Sequence, residues 1–236
     1  RAEIAFHVRG LLAKEGMVFT AGYASAGNCA PSRACLISGT YTPRHGVYAV
    51  VSTDRGPKES MRLVPIPNKS GLAKENITVA DALKAAGYVT GIFGKWHLSG
   101  KDGAKPGEQG FDMVFQSFGG WSKQEVDNPK GIYSLTQAAC EFMEKNKSRP
   151  FFVYLPHYAI HSAHQARAAT LEKFKAKKPG TQHNDPLYAA CTYDLDDGIG
   201  ILLKKLADLG LEENTLVVFT SDNGGTQQSS QEPLRG

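Results

Sequence analysis

Cys29-Ala30-Pro31-Ser32-Arg33-Ala34-Cys35-Leu36-Ile37-Ser38-Gly39 reads as a loop running into a short helix. Pro31 presets φ at about −65°, which suits the first turn of a helix. Leu36 and Ile37 supply apolar contact, and Gly39 is the stop. Cys29 is therefore expected just before a helix N-terminus. Unpaired backbone N–H groups and the positive end of the helix dipole converge there, which makes a ready anion site. Arg33 adds a fixed charge whose donor fork suits a tetrahedral oxyanion. A reactive sulfur thus stands beside an anion cradle.

Working outward, the 236 residues are enough for one sizeable core. Apolar content of 41% and charged content of 21% describe an ordinary globular chain. The formal charge of +4, from 27 basic and 23 acidic residues, is mild. It fits an anionic ligand but argues against nucleic acid, as does the lack of a basic run interleaved with aromatics. The densest basic stretch, 173–178, reads as a solvated helix face. Four cysteines, Cys29, Cys35, Cys140 and Cys191, show neither CxxC nor zinc spacing, and no disulfide is inferred. No apolar run is long enough to span a bilayer. The chain opens on Arg1-Ala2-Glu3 and ends on Leu234-Arg235-Gly236, as an interior fragment of a longer protein would.

Along the chain, Ile4, Val8, Leu11 and Leu12 recur at helical spacing over residues 4–15. Residues 17–20 read as a short strand, and 52–75 as a long surface excursion. Thr78 and Asp81 form a capping box for a helix that stops at Gly87. Tyr88 to Phe93 is a strand, with Gly94-Lys95-Trp96-His97-Leu98 at its carboxyl end. A helix is expected over 134–146 with Ser134 as cap. Phe151 to Leu155 then reads as a strand buried on both faces, followed by His157, His161 and His164. Helices are expected over 167–178 and 186–209. Asp196 and Asp197, within the second, read as surface or capping charges rather than ligands. Thr215 to Thr220 reads as a third buried strand, with Ser221-Asp222-Asn223-Gly224-Gly225 beyond it.

Helices alternating with apolar strands argue for an α/β fold with a mainly parallel central sheet. Ligands in such sheets bind beyond the carboxyl ends of the strands. Lys95 and His97, His157 and His161, and Asp222 and Asn223 all fall there. Spacing of two puts Lys95 and His97 on one side of an extended segment. Asp222 and Asn223 offer hard oxygen ligands suited to Ca²⁺ or Mg²⁺.

The 29–39 run resembles the signature of the type I sulfatases: Cys, any residue, Pro, Ser, Arg, two residues, Leu, one residue, Ser or Thr, Gly. Every fixed position matches. Gly94-Lys95-Trp96-His97-Leu98, Gln109-Gly110-Phe111-Asp112 and Ser221-Asp222-Asn223-Gly224-Gly225 resemble further motifs of the family. The resemblance implies an alkaline-phosphatase-like α/β/α sandwich and a sulfuric ester hydrolase acting on an aryl or carbohydrate sulfate. It implies that a separate formylglycine-generating enzyme oxidises Cys29 to Cα-formylglycine, whose hydrated aldehyde attacks sulfur. Arg33 and Lys95 would neutralise the sulfate, His161 would protonate the leaving alcohol, and His97 would take a proton from the second hydroxyl. Cys29, Asp222 and Asn223 would face a Ca²⁺ ion. A periplasmic or secreted location is also the family's implication.

The pattern has departures. No strand ending in paired aspartates precedes Arg1, and Pro233-Leu234-Arg235-Gly236 stops before the family's sulfate-binding lysine. The chain is therefore read as a partial catalytic domain over 1–236, binding Ca²⁺ weakly by itself. Ser162-Ala163 stand where the family often has Thr-Pro. Three alternatives remain open: a phosphonate or phosphodiester hydrolase of the same fold, a catalytically silent binder of sulfated glycans, and a thiol oxidoreductase using Cys29 and Cys35.

Overall fold

The computed structural model describes residues 6–116, 126–180, 184–225 and 229. Residues 4 and 5 of the expected first helix, and the 233–236 run, lie outside them. The described chain begins with a π-helix, His7–Leu12, continuing into α1, Ala13–Glu15. The expected strand at 17–20 does not form: Met17 is 80% exposed and Phe19 77%. No ladder among the described residues receives its backbone groups, so its apolar side chains have no sheet face to pack on.

Helix α2, Cys29–Ser38, is followed by α3, Thr42–His45. The 52–75 excursion is irregular apart from one 3₁₀ turn, Lys58–Ser60, and an isolated antiparallel bridge from Gly71 to Ser99. Helix α4, Val79–Ala85, starts at the expected box. Thr78 Oγ1 accepts from the Asp81 N–H, and the Asp81 carboxylate accepts from the Thr78 N–H. Strand β1, Val89–Phe93, leads through a 3₁₀ turn to β2, Met113–Phe115, an element the sequence reading did not separate from the preceding loop. Helix α5, Ile132–Asn146, begins two residues before Ser134. Asn128 performs the capping, since its side-chain oxygen accepts from the Tyr133 and Ser134 N–H groups. Strand β3, Phe151–Tyr154, precedes α6, Ala168–Lys175, and α7, Pro186–Asp208, whose first turn is capped by the Asp185 carboxylate.

The three strands form a parallel sheet in the order β2-β1-β3. Gly91 sits opposite Met113 on one side and Val153 on the other. Period-two alternation divides β3 between two layers. Phe151 and Val153 pack with Phe93, Ala139 and Phe142 toward α5 and α7. Phe152 and Tyr154 pack with Ile92, Trp96 and Phe111 toward the Ala30, Ala34 and Ile37 side of α2. Helices therefore cover both faces, giving an α/β/α arrangement.

Two expectations about burial are corrected. Strand β3 is half-buried rather than buried on both faces, because it is the edge strand of the described sheet. Residues 215–220 join no sheet among the described residues, and Leu216 is 89% exposed. Asp196 is not a surface charge. It is buried and accepts from the His7 and Val8 N–H groups, fastening the first helical turn to α7.

Candidate active site

Helix α2 begins at Cys29, one residue earlier than expected, with extended Asn28 as its cap residue. Pro31 is then the third helical residue, where a missing N–H breaks no intrahelical bond. Gly39 closes the helix in the left-handed region at φ 63°, its N–H donating to the Cys35 carbonyl. Within this helix Cys29 and Arg33 are four residues apart, so they share a face. Ala30, Ala34 and Ile37 are buried in the core on the other side.

Arg33 is the centre of the arrangement. It is buried, with 7% side-chain exposure, and its guanidinium donates to groups from two other segments. Nε and Nη2 donate to Asp222 Oδ2 at 2.9 and 2.8 Å. Nη1 donates to the Lys95 carbonyl at 2.7 Å. The Tyr154 hydroxyl is near enough to Arg33 for the guanidinium to oppose the rise that burial gives its pKa. Arg33 thereby joins α2, the end of β1 and the 221–225 turn, close to the end of β3. In the sequence Tyr154 is one more residue of an apolar strand, and a hydroxyl on the strand's last residue is the signal available.

Gly94 continues β1 into this site at φ 131°. Its N–H donates to the Phe115 carbonyl at 2.8 Å, and the next N–H, of Lys95, donates to the Pro156 carbonyl at 2.8 Å. A Cβ at residue 94 would lie 2.2 Å from that carbonyl oxygen, so only glycine lets the two loops meet. Lys95 is buried. His97 has φ 64°, so the segment is not extended there, and the simple alternation expected for Lys95 and His97 does not apply. Lys95 and Arg33 nevertheless both lie close enough to act on the His97 ring. The His97 pKa is lowered to about 4, first by burial and then by the positive fields of Lys95, Arg33 and His161, against an opposing pull from Asp222. At neutral pH His97 is an uncharged imidazole.

His161 follows β3, its Nδ1 lying 2.6 Å from the Ser162 carbonyl oxygen. His157 is different. Both ring nitrogens are buried without a hydrogen-bond partner among the described residues, and burial lowers its pKa to about 4. It is a packed neutral ring. Cys35 lies six residues beyond Cys29 with its sulfur 3.4 Å from His45 Nε2, and all four cysteines are free. Its thiol is raised by burial, which suits packing rather than thiol exchange.

For a cation, Asn223 Oδ1 is buried and has no hydrogen-bond partner among the described residues, while its Nδ2 donates to the Gly224 carbonyl. An orphaned buried oxygen beside the Asp222 carboxylate fits part of a hard-cation shell. No group of three or more His, Cys, Asp or Glu side chains that could hold a metal occurs among the described residues. No described helix is long and apolar enough to cross a membrane.

A family model described as Sulfatase matches residues 7–236. The N-acetylgalactosamine-6-sulfatase of Rattus norvegicus is 32% identical over 247 residues, covering 90% of this chain and 44% of its own. Arylsulfatase A of Homo sapiens is 32% identical over 253 residues, covering 90% of this chain and 46% of its own. The chain thus spans less than half the length of these curated relatives. Among solved structures, Ps i-CgsB in complex with k-i-k-neocarrahexaose matches with a TM-score of 0.66 and 25% identity, over 89% of this chain and 52% of that one.

Proposed function

The chain belongs to the sulfatase family and has its alkaline-phosphatase-like fold, and from that premise we propose that the whole protein hydrolyses sulfate monoesters of aryl or carbohydrate alcohols. The observation that supports this best is the contact set of Arg33. One helical turn from Cys29, a buried guanidinium gathers Asp222 and the Lys95 carbonyl, 189 and 62 positions away.

Oxidised to Cα-formylglycine by a maturation enzyme and hydrated, residue 29 would offer two hydroxyls on one carbon, one to attack sulfur and one to release the product. Arg33 and Lys95 hold the sulfate oxygens and offset the charge that grows on them. Such preorganised groups act strongly because they need no reorganisation during reaction. His161 gives its proton to the leaving alcohol oxygen. His97, kept uncharged by burial and by its cationic neighbours, takes the proton from the second hydroxyl. Asp222 and Asn223 would hold Ca²⁺, with Mg²⁺ as a substitute, and that ion would polarise a sulfate oxygen. Residue 29 and groups outside this chain would complete its shell. Export to the periplasm or the medium belongs to the same reading.

Comparative turnover tests it. Whole protein, matured with a formylglycine-generating enzyme, should hydrolyse an aryl sulfate faster than an aryl phosphonate monoester. A reversed preference would make it a phosphonate hydrolase of the same fold, and no turnover of either would leave a binding protein.

A further inference from the structure

We infer that Lys130 is a third cation of the ester site, holding with Arg33 and Lys95 the positive field into which the sulfate group, and the sulfate ion released from it, are drawn. This rests on the hydrolase reading above and adds a residue to its site. Lys130 stands in the 3₁₀ turn Pro129–Gly131, directly before α5, and only 1% of it is exposed. A lysine this buried is rare. Its backbone is left-handed, at φ 53° and ψ 21°, and Gly131 follows at φ 68°. Glycine takes this conformation at no steric cost, whereas a residue with a long side chain rarely adopts it. Strain of this kind clusters at working sites, and here it turns a charged side chain inward.

The turn is fixed between the two loops that carry the other groups of the site. Gln165, itself buried and four residues beyond His161, accepts the Lys130 N–H at Oε1, 3.1 Å away. The Gly131 N–H donates to the Asn128 carbonyl at 3.1 Å, and the Asn128 side chain caps α5. In α5, Leu135 Cδ1 lies 3.5 Å from where a Cβ on Gly94 would stand, at the start of the Lys95 loop. Lys130 is thereby braced between the Lys95 loop and the His161 loop.

Its charge reaches the same groups. Burial pulls the Lys130 pKa down to about 8; Cys191 opposes the fall and Lys95 adds to it. Lys130 therefore still carries its proton at pH 7, within electrostatic range of the Lys95 ammonium. Lys130 and His161 both act on His164, just as Lys95, Arg33 and His161 all act on His97. Two like charges held in a poorly screened interior raise each other's energy, and an anion placed with them removes that cost. Sulfate, which the hydrolase reading places here, is such an anion.

The test titrates inorganic sulfate at pH 7 onto the whole matured protein and its Lys130→Met variant by calorimetry, and follows urea unfolding of both without sulfate. Methionine keeps an unbranched side chain of similar length and removes the charge. The substitution should raise the Kd for sulfate about tenfold, while the urea midpoint stays the same or rises because a buried charge no longer has to be held. Unchanged sulfate affinity, or a lowered midpoint beside the weaker binding, would overturn the assignment, and so would a parent protein that binds no sulfate. If the methionine variant does not fold, Lys130→Gln is judged by the same two measurements, and failure of both to fold would mark the lysine as structural and overturn its assignment to the site. The hydrolase reading fails separately, by absent turnover of an aryl sulfate in the parent protein, and the sulfate titration decides Lys130 in that case too.

Discussion

Arg33 and Asp222 lie 189 positions apart in the chain, yet Nη2 and Oδ2 meet at 2.8 Å, with Nε bonded to the same oxygen. The guanidinium that would meet sulfate is thus oriented by the carboxylate that would meet Ca²⁺. A lysine cannot reproduce this, because it lacks the planar fork. Arg33→Lys should lower kcat/KM on an aryl sulfate by about two orders of magnitude. It should also cost about 1–3 kcal/mol of stability by leaving the Lys95 carbonyl and Asp222 underbonded. Steady-state kinetics and urea unfolding measure the two effects.

Gly94 joins β1 to the Lys95 loop in a conformation that side chains rarely adopt, with the Pro156 carbonyl 2.2 Å from where a Cβ would stand. Gly94→Ala should destabilise by about 3 kcal/mol or more. Gly107→Ala is the control, since a Cβ there meets nothing within 4 Å. A lowered urea midpoint for the first variant alone is the expected result.

The Thr78 box is a local device with a long-range addition. Thr78 Oγ1 lies 2.8 Å from Asp81 Oδ2 and 2.9 Å from the Gln109 carbonyl oxygen, bringing α4 against the loop before β2. Thr78→Ala should cost about 2 kcal/mol, and Thr78→Ser should recover most of it. Thermal unfolding of the two variants checks this.

These elements show what a sequence can disclose. The capping box, the start of α2 and strand β1 are written in neighbouring residues, so they were legible. Lys95 and His97 stand just beyond β1 as expected, whereas Asp222 reaches Arg33 from a segment that joins no sheet among the described residues. Tyr154 was missed because its hydroxyl matters only through Arg33, 121 positions earlier. The Asn128 cap was missed because Ser134 offers the same chemistry nearer the apolar run. Residues 215–220 were overread, since apolar composition signals burial but cannot supply the neighbouring strand that burial requires.

Acid should weaken the fold through its neutral imidazoles. His157 titrates at about 4 in the folded chain against about 6.5 when unfolded. Between these values the unfolded state binds more protons, so stability is full above about pH 6.5 and is lost as pH falls toward 4. His97 acts in the same window and direction. The urea midpoint should fall between pH 7 and pH 4.5, and His157→Phe should flatten that dependence. A midpoint that rises on acidification would refute this account.

Peptide mass spectrometry of residue 29, on whole protein that turns over an aryl sulfate, reaches the central claim most directly. The account predicts that the Cys29 peptide carries CHO in place of CH₂SH and is captured by a hydrazide probe. Active protein whose Cys29 is entirely unmodified thiol would contradict it.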